Sequence, residues 1–352
     1  MFMKRLFILL IVCATLSLSA TAQKTRYVDA TELGIHGYIK ESKLNPYHRF
    51  DASSYEFPNI IVRYSKYSTG LYVTFKTNST KVTATWENTP FRIGDNMTGI
   101  LQLGLDLYMK QNGKWEMVGV GRVSTSPDRS KRTKVLVKGL PEGKKEFLLY
   151  LPGWCEIRSL QIGVDEGATI KGTPSPFKHK VVVHGSSITH GASASRPGMT
   201  YAARMSRNLG IDFVNFGFSG NCKMQPQFLE YLKDCKADAF VFDVCSNPTP
   251  REIKSRLANF VKGLAEAHPK KPLIFINTPI PNRDDRRETA AVIMEKMTKL
   301  YNNVYFLYEQ DVITTSDTVD TIHPNDLGFD KFINTYQSQI AEILKKYGIK
   351  GK

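Results

Sequence analysis

The chain has 352 residues, and its 48 lysine and arginine residues outnumber its 33 aspartate and glutamate residues, so its formal net charge is +15 at pH 7. This length is sufficient for two domains. The basic residues are scattered and accompany no nucleic-acid-binding motif, so we predict no nucleic-acid partner and a generally basic, solvated surface. Attraction to an anionic polymer, such as an acidic polysaccharide, is the alternative that the charge leaves open.

Residues 1–22 have the organisation of a secretory signal peptide. Lys4 and Arg5 precede an apolar stretch over 6–18, and the small residues 20–22 offer a cleavage site. The apolar stretch is shorter than the roughly 20 residues that a membrane span needs, and no later segment approaches that length. We therefore predict a protein without a transmembrane segment that is exported to the periplasm or outside the cell; an uncleaved anchor is the alternative.

The next segment, residues 23–166, has the pattern of an all-β domain. Residues 71–75 and 82–86 alternate apolar and polar side chains with period two, as half-buried strands do. Helical periodicity is nearly absent, and turn residues separate the apolar segments. Many short strands at regular spacing predict a β-sandwich or jelly roll. The further strands that we predict are 60–64, 101–110, 115–120, 133–137 and 146–151.

A linker rich in Gly, Pro, Thr and Ser is predicted at 167–178, and the pattern changes after it. Over 179–352, apolar strands alternate with amphipathic helices. Continuous apolar strands are typical of a parallel sheet that is buried on both faces. Five βα units predict a flavodoxin-like three-layer α/β domain. The predicted strands are 180–183, 212–216, 239–243, 273–277 and 304–307.

Two helices of this domain have clear boundaries in the sequence. Thr249 and Glu252 form a capping box, with Pro250 at the first helical position. The helix that follows has an apolar face made of Ile253, Leu257, Phe260, Val261 and Leu264. The last helix is predicted to begin near Asn325 and to end before Gly348.

Four cysteines follow the predicted signal peptide: Cys155, Cys222, Cys235 and Cys245. None belongs to a C-x-x-C pair, and their spacing does not predict a metal site. An oxidising compartment would permit a disulfide, but a chain of this length has enough core without one. We predict buried free thiols.

The residues with catalytic potential follow the first three strands of the α/β domain. Ser187 comes after the first strand, and the segments 215–221 and 243–248 follow the second and third. In parallel sheets ligands bind beyond the carboxyl ends of the strands, so we expect these segments to converge if the strand order permits.

This set of residues predicts acyl transfer. Ser187 is placed to act as a nucleophile, His323 as its base, and Asp320 as the group that orients the base. The backbone N–H groups of Ser187 and Gly220 and the side-chain amide of Asn247 can stabilise the oxyanion. We interpret glycine at 220 as leaving room for a close backbone approach.

Each assignment has a structural alternative. Ser187 could cap the helix that follows it, and Asn247 could cap the helix that begins near Thr249. Asp320 could cap a turn, and His323 could be a surface residue at a helix start.

Ser187, Gly220, Asn247 and His323 resemble the four sequence blocks of the SGNH (GDSL-type) hydrolases. The segments 185–191, 194–201, 215–221 and 323–329 resemble one bacterial subgroup, whose N-terminal β-domain carries a Gly-x-Asp-Leu-Tyr motif; here the motif is 104–108. The resemblance covers essentially the whole chain after the signal peptide. It implies ester hydrolysis, often removal of acetyl groups from carbohydrates, without a metal or organic cofactor.

The sequence departs from the family pattern in two places. Ser186 stands where the family usually has an aspartate before the nucleophile, and Cys245 and Pro248 replace the glycine and the final aspartate of the Gly-x-Asn-Asp block. These changes leave the predicted catalytic atoms in place.

The sequence thus predicts an exported serine esterase whose substrate is an acylated carbohydrate or another small ester. We predict that His190 and Arg196 contact the substrate, with solvated loop residues as the alternative. Asp106 and Tyr108 of the β-domain motif are expected to stabilise a turn or the domain interface rather than bind sugar. A general short-chain esterase or lipase, and a non-catalytic glycan-binding protein, are the alternative functions.

Overall fold

The computed structural model describes residues 24–90, 94–123 and 130–351. The predicted signal peptide lies outside the described residues. In the described part of the chain, the strands form three sheets. The first two are antiparallel, and the third is parallel and begins at Lys178.

Two antiparallel sheets form the N-terminal part of the protein. Their strands are β1 (Thr25–Asp29), β2 (Ile35–His36), β3 (Tyr72–Thr77), β4 (Lys81–Asn88), β5 (Leu105–Gln111), β6 (Lys114–Gly121), β7 (Lys131–Lys138), β8 (Lys145–Tyr150), β9 (Ile157–Asp165) and β10 (Ile170–Gly172). One sheet has the order β1-β9-β4-β7 and the other β10-β3-β8-β5-β6, with β2 paired to β3. Side chains of both sheets, including Phe75, Trp86 and Phe147, share one apolar core. The predicted β-sandwich is confirmed.

Among the described residues of this part, three short helices interrupt the strands: α1 (Ala30–Leu33), α2 (Asn59–Ser65) and α3 (Gly99–Leu103). The strand predicted at 60–64 is therefore wrong, because that segment is α2, which buries Ile61, Tyr64 and Ser65 on one face. The strand predicted at 101–110 is two elements. Thr98 caps α3 by accepting the N–H of Leu101 at 3.0 Å, and β5 begins only after the helix ends.

The segment predicted as a linker, 167–178, contains the edge strand β10. This strand pairs with β3 in antiparallel register, with Ile170 opposite Thr77. The polypeptide therefore passes to the parallel sheet directly from the edge of the sandwich.

The parallel sheet follows the predicted α/β pattern. Its strands are β11 (Lys178–Gly185), β12 (Ile211–Gly217), β13 (Ala239–Asp243), β14 (Leu273–Ile276) and β15 (Val304–Leu307). The helices around it are α4 (Ser187–His190), α5 (Tyr201–Leu209), α6 (Pro226–Lys233), α7 (Pro250–Ala267), α8 (Asp284–Leu300) and α9 (Asp326–Lys346). The strand order β12-β11-β13-β14-β15 is that of flavodoxin-like folds, which confirms the predicted class.

Local capping places the long helices as the sequence predicts. Thr249 and Glu252 make both bonds of the capping box at the start of α7. Asn325 caps α9 by accepting the N–H of Gly328 at 3.0 Å. In the described ranges, no helix is long and apolar enough to cross a membrane.

The two parts of the protein share a core. The ring of Phe50 packs on Phe216 at 5.0 Å and on Phe218 at 5.7 Å between ring centroids. The buried Arg49 donates to the carbonyl of Tyr64 at 2.9 Å and to the carbonyl of Gly217, at the end of β12, at 2.8 Å. The chain between β2 and β3 is therefore built into the α/β domain, beside the end of the sheet that carries the candidate site.

Asp106, in the Gly-x-Asp-Leu-Tyr motif, makes a second contact between the parts. Its carboxylate is fully buried and accepts the N–H of Gly198 at 3.0 Å and the Arg196 Nε–H at 3.1 Å. A Cβ on Gly198 would lie 2.6 Å from the Tyr108 ring. The motif therefore serves the domain interface, as predicted.

Candidate active site

A sharp turn after the first strand of the parallel sheet presents Ser187. β11 ends at Gly185, and Ser186 is the N-cap of α4, with its Oγ accepting the N–H of Ile188 at 3.2 Å. The capping role that we considered for Ser187 therefore belongs to Ser186. Ser187 is the first residue of the helix, and its hydroxyl is directed to another partner.

Two glycines allow this turn to pack closely. A Cβ on Gly185 would lie 2.1 Å from Thr189 Oγ1, and a Cβ on Gly217 would lie 2.2 Å from the backbone nitrogen of His190. Both distances are shorter than real Cβ contacts. The helix α4 can therefore rest on the ends of β11 and β12 only because these two residues lack a side chain.

His323 lies between Ser187 and Asp320. Its Nε2 is 2.9 Å from Ser187 Oγ, and its Nδ1 is 2.7 Å from Asp320 Oδ2. The other carboxylate oxygen, Oδ1, accepts the backbone N–H of His323 at 2.8 Å and that of Ile322 at 3.2 Å. One carboxylate thus holds both the ring and the backbone of His323, which is the arrangement that activates a serine nucleophile.

Asp320 is held in its ionised form. Burial is the largest single influence and acts to raise the pKa of Asp320. Hydrogen bonds from the Asn96 amide and from the backbone and ring of His323 outweigh it and lower the pKa to about 2. The carboxylate therefore remains charged at neutral pH, where it can stabilise an imidazolium at His323.

The register of the parallel sheet brings the candidate oxyanion donors to one edge. Gly185 is paired with Gly217 on one side and with Asp243 on the other. Shortly after these three paired residues come Ser187, Gly220 and Asn247. The loop that carries Gly220 is bonded to the loop that carries Asn247, because the N–H of Cys222 donates to Asn247 Oδ1 at 3.1 Å.

Among the described residues, no hydrogen bond occupies the backbone N–H of Ser187, the backbone N–H of Gly220 or the side-chain NH2 group of Asn247. The N-cap of α7 is Thr249, so the alternative that Asn247 caps this helix is wrong.

The backbone gives a further reason for glycine at position 220, and the close approach of a ligand there stays a prediction. A Cβ would meet no protein atom within 4 Å, so packing within the protein does not require glycine. The backbone does, because Gly220 has φ 68°, in the left-handed region that other residues seldom adopt.

The structure contradicts the substrate-contact prediction for His190. Its ring is completely buried, is stacked on Trp154 at 3.9 Å between centroids, and has Nε2 3.0 Å from Thr69 Oγ1. Burial holds the pKa of His190 well below its ordinary value, and the charge of Arg49 adds to this effect. A neutral, buried ring in this position joins the two parts of the protein rather than contacting a substrate.

Arg196 also has a structural partner. Its Nε–H donates to Asp106, and 23% of its side chain is exposed. The pair lies at the domain interface, and contact between the exposed part of Arg196 and a substrate stays a prediction.

Asn96 is a residue of the site that the sequence did not reveal. It lies between β4 and α3, in the β-sandwich part, and its Nδ2 donates to Asp320 Oδ2 at 2.8 Å. The two residues are 224 positions apart, and Asn96 belongs to no motif, so no signal in the sequence connects them.

A second carboxylate, Asp243, lies beneath the turn of Ser187. It is buried and accepts hydrogen bonds from Ser186 Oγ at 2.6 Å and from the hydroxyl of Ser246. Burial raises its pKa to about 6, although these hydroxyls oppose the rise. Asp243 thus supports the turn by holding the side chain of Ser186 in place.

The four cysteines are buried and free, and in the part of the chain that the structure describes no group of three or more His, Cys, Asp or Glu side chains could hold a metal ion. The candidate site that the structure describes holds a serine, an imidazole, a carboxylate and candidate amide donors.

Together, the flavodoxin-like sheet, the preceding β-sandwich and the Ser187 site define a hydrolase of the SGNH class. Residues 178–341 match the GDSL-like lipase/acylhydrolase family, and residues 25–170 match the N-terminal domain of SGNH hydrolase-type esterases. The chain belongs to the GDSL-like lipase/acylhydrolase family.

Solved structures show the same architecture. A protein from Bacteroides ovatus, described as a GDSL-like lipase, is 40% identical, with a TM-score of 0.87 over 92% of this chain and 98% of that chain. A salicylyl-acyltransferase from a tetracycline biosynthetic pathway is 22% identical, with a TM-score of 0.68 over 92% and 98% of the two chains.

An acetyl xylan esterase from the rumen bacterium Butyrivibrio proteoclasticus is 12% identical, with a TM-score of 0.57 over 92% of this chain and 99% of that chain. At these last two identities the likeness is one of fold. No curated protein matches the sequence.

Proposed function

We propose that this protein is a serine esterase that removes acyl groups, chiefly O-acetyl groups, from carbohydrates. The observation that carries the proposal is the continuous chain of hydrogen bonds from Ser187 through His323 to Asp320. A binding protein would have no need of a serine hydroxyl bonded to a histidine that is itself fixed by a carboxylate.

In the first half of the reaction, Ser187 Oγ attacks the ester carbonyl carbon while His323 Nε2 takes the hydroxyl proton. Negative charge then develops on the carbonyl oxygen. The N–H groups of Ser187 and Gly220 and the amide of Asn247 are the donors for that charge, and one donor of this type contributes about 3–4 kcal/mol. His323 returns the proton to the departing sugar oxygen as the carbon–oxygen bond breaks, which leaves Ser187 acylated.

In the second half, His323 Nε2 takes a proton from a water molecule, and the resulting hydroxide attacks the acyl carbon. The second tetrahedral intermediate uses the same donors. When it collapses, His323 returns the proton to Ser187 Oγ and the carboxylic acid leaves. Asp320 keeps the imidazole in the required tautomer throughout.

Two observations support a carbohydrate ester as the substrate. The fold is shared with the acetyl xylan esterase described above. In addition, a groove of about 640 Å³ is lined by Gly94 and Met97, which lie on either side of Asn96 in the chain, and by the basic side chains of Arg63 and Lys66. The largely buried rings of Tyr64, Tyr67 and Trp154 form part of its wall. Polar and basic groups beside aromatic rings suit a sugar chain better than a long acyl chain.

The sequence pattern of the N-terminus supports a place of action outside the cytoplasm. Residues 1–22 carry the pattern of a signal peptide, and export would bring the enzyme to polymeric glycans that do not enter the cytoplasm. Our proposal therefore includes export to the periplasm or beyond.

The test is release of acetate from a panel of acetylated plant and microbial polysaccharides by the native protein and by Ser187→Ala. Ser255→Ala, at an exposed position on α7, is the matched control. We expect Ser187→Ala to lose turnover by a factor on the order of a million and the control to retain it.

Other outcomes would change the proposal. Cleavage of small aryl acetates but of no glycan would retain the mechanism and overturn the substrate. Equal turnover by native protein and Ser187→Ala would overturn the mechanism. Binding of a glycan without turnover of any ester would establish a non-catalytic glycan-binding protein instead.

A further inference from the structure

We propose that Asn96, which lies in the β-sandwich part, is a positioning residue that holds Asp320 and so orients His323. The β-sandwich thereby contributes a residue to the catalytic unit. This inference rests on the proposed function. It assigns a role in the reaction to a residue outside the four sequence blocks of the family.

The first argument concerns the hydrogen bonds that the Asp320 carboxylate accepts. Oδ1 accepts two backbone N–H groups of its own turn, those of Ile322 and His323. Oδ2 accepts the ring of His323 at 2.7 Å and the amide of Asn96 at 2.8 Å. Without Asn96, the oxygen that faces the imidazole would have one protein donor, and the carboxylate could turn toward solvent.

The second argument is the position of the amide relative to the imidazole. Asn96 Nδ2 is 3.4 Å from His323 Nδ1, so it lies beside the bond between His323 and Asp320 as well as on the carboxylate. Movement of Asn96 would therefore alter both partners of that bond.

The third argument is that the loop of Asn96 is held from both parts of the protein. Ser193 Oγ, from the α/β domain, donates to the Asn96 carbonyl at 2.8 Å. Within the sandwich, the fully buried Gln102 accepts the N–H of Gly94 at 2.7 Å and donates to the Met97 carbonyl at 3.0 Å. These bonds fix the backbone on either side of Asn96, so its amide is presented to Asp320 in a defined position.

Removal of this amide has two consequences. First, the carboxylate loses one of the constraints that align His323 with Ser187, and a misplacement of about 1 Å in such a group costs about 100-fold in rate. Second, the positive end of the Asn96 NH2 dipole faces Asp320 and His323 and opposes the binding of a proton to these two side chains. When the dipole is removed, their protonated form is favoured. The acid limb of the profile of kcat/KM against pH therefore moves to higher pH.

The experiment measures kcat and KM separately from pH 5 to pH 9 with 4-nitrophenyl acetate, a small ester that does not depend on glycan binding. The variants are Asn96→Ala, the isosteric Asn96→Asp, and Asn96→Gln, which retains the amide. Asp95→Ala, at the exposed neighbouring position, is the matched control. Ser187→Ala in the same assay establishes first that the measured turnover belongs to the proposed nucleophile.

We expect Asn96→Ala to lower kcat by about 100-fold, with KM nearly unchanged and the acid limb shifted to higher pH. Asn96→Asp should shift the limb further because it adds a negative charge, and Asn96→Gln should recover part of kcat. The control should match the native protein. A merely structural role would lower the amount of folded enzyme without moving the limb.

Thermal unfolding followed by circular dichroism shows whether each variant is folded. If Asn96→Ala unfolds, Asn96→Asp answers the same question with an unchanged side-chain volume. Native kcat and an unshifted acid limb in a folded Asn96→Ala or Asn96→Asp variant would overturn the inference and leave the proposed esterase standing. Turnover that survives Ser187→Ala would instead overturn the proposed function.

Discussion

Substitution of Asp243 by asparagine should change how the stability of the protein depends on pH. Asp243 ends β13 and lies fully buried beneath the turn of Ser187, where the hydroxyls of Ser186 and Ser246 donate to it. Asparagine keeps the volume of the side chain. The two hydroxyls can both donate and accept, so they can pair with an amide in the same place.

The size of the effect follows from the shift in pKa. Burial raises the pKa of Asp243 from 3.8 to about 6, a change of about two units, and one unit corresponds to about 1.4 kcal/mol. The folded state therefore binds this proton more tightly than the unfolded state does. Stability from this group is fully present below about pH 4 and is lost as the pH rises through about 6, a total of about 3 kcal/mol.

Urea unfolding of the native protein and of Asp243→Asn, followed by circular dichroism at several values between pH 4 and pH 7, measures this directly. Every other titrating group is common to the two proteins, so the difference in the free energy of unfolding isolates residue 243. We expect the native protein to gain about 3 kcal/mol relative to the variant as the pH falls from 7 to 4.

A difference that stays constant over this range would refute the reasoning, because it would mean that Asp243 titrates alike in the folded and unfolded states. An increase in the free energy of unfolding of the native protein, relative to the variant, as the pH rises would refute it as well. That result would require a lowered pKa of Asp243 and a turn that stabilises its charge.

Two further substitutions test the site and the interface. Asn247→Ala should lower kcat for an aryl acetate by about 100- to 1,000-fold with little change in KM, because it removes an oxyanion donor; steady-state kinetics would contradict this if only KM changed. Asp106→Ala should lower the free energy of unfolding by about 3–5 kcal/mol, because it leaves Arg196 and the N–H of Gly198 without their buried acceptor; urea unfolding that shows less than about 1 kcal/mol would contradict it.

Features with strong local signals were predictable from the sequence. The capping box at Thr249 and the strands of the parallel sheet depend on neighbouring residues, through side-chain bonds to the first helical turn and through continuous apolar segments. The sequence also indicated Ser187 and His323 as partners, because each belongs to a family block, and the structure brings them to 2.9 Å of each other.

Short helices were not predictable in the same way. α2 extends only over Asn59–Ser65, which is too short to be stable by itself, and its N-cap Pro58 makes no side-chain capping bond. It forms because Ile61 and Tyr64 pack into the core of the α/β domain, a contact that its own sequence does not encode.

The sequence by itself determined the order of the elements, the caps of the long helices and the residues of the four blocks, since these depend on side chains close together in the chain. Only the tertiary structure decided which residues surround them. It buried His190 against Trp154, although the sequence allowed it a place beside the substrate. It also brought Asn96 to Asp320, which lies 224 residues away in the chain. The packing of the β-sandwich against the α/β domain sets that distance, and no local sequence pattern encodes it.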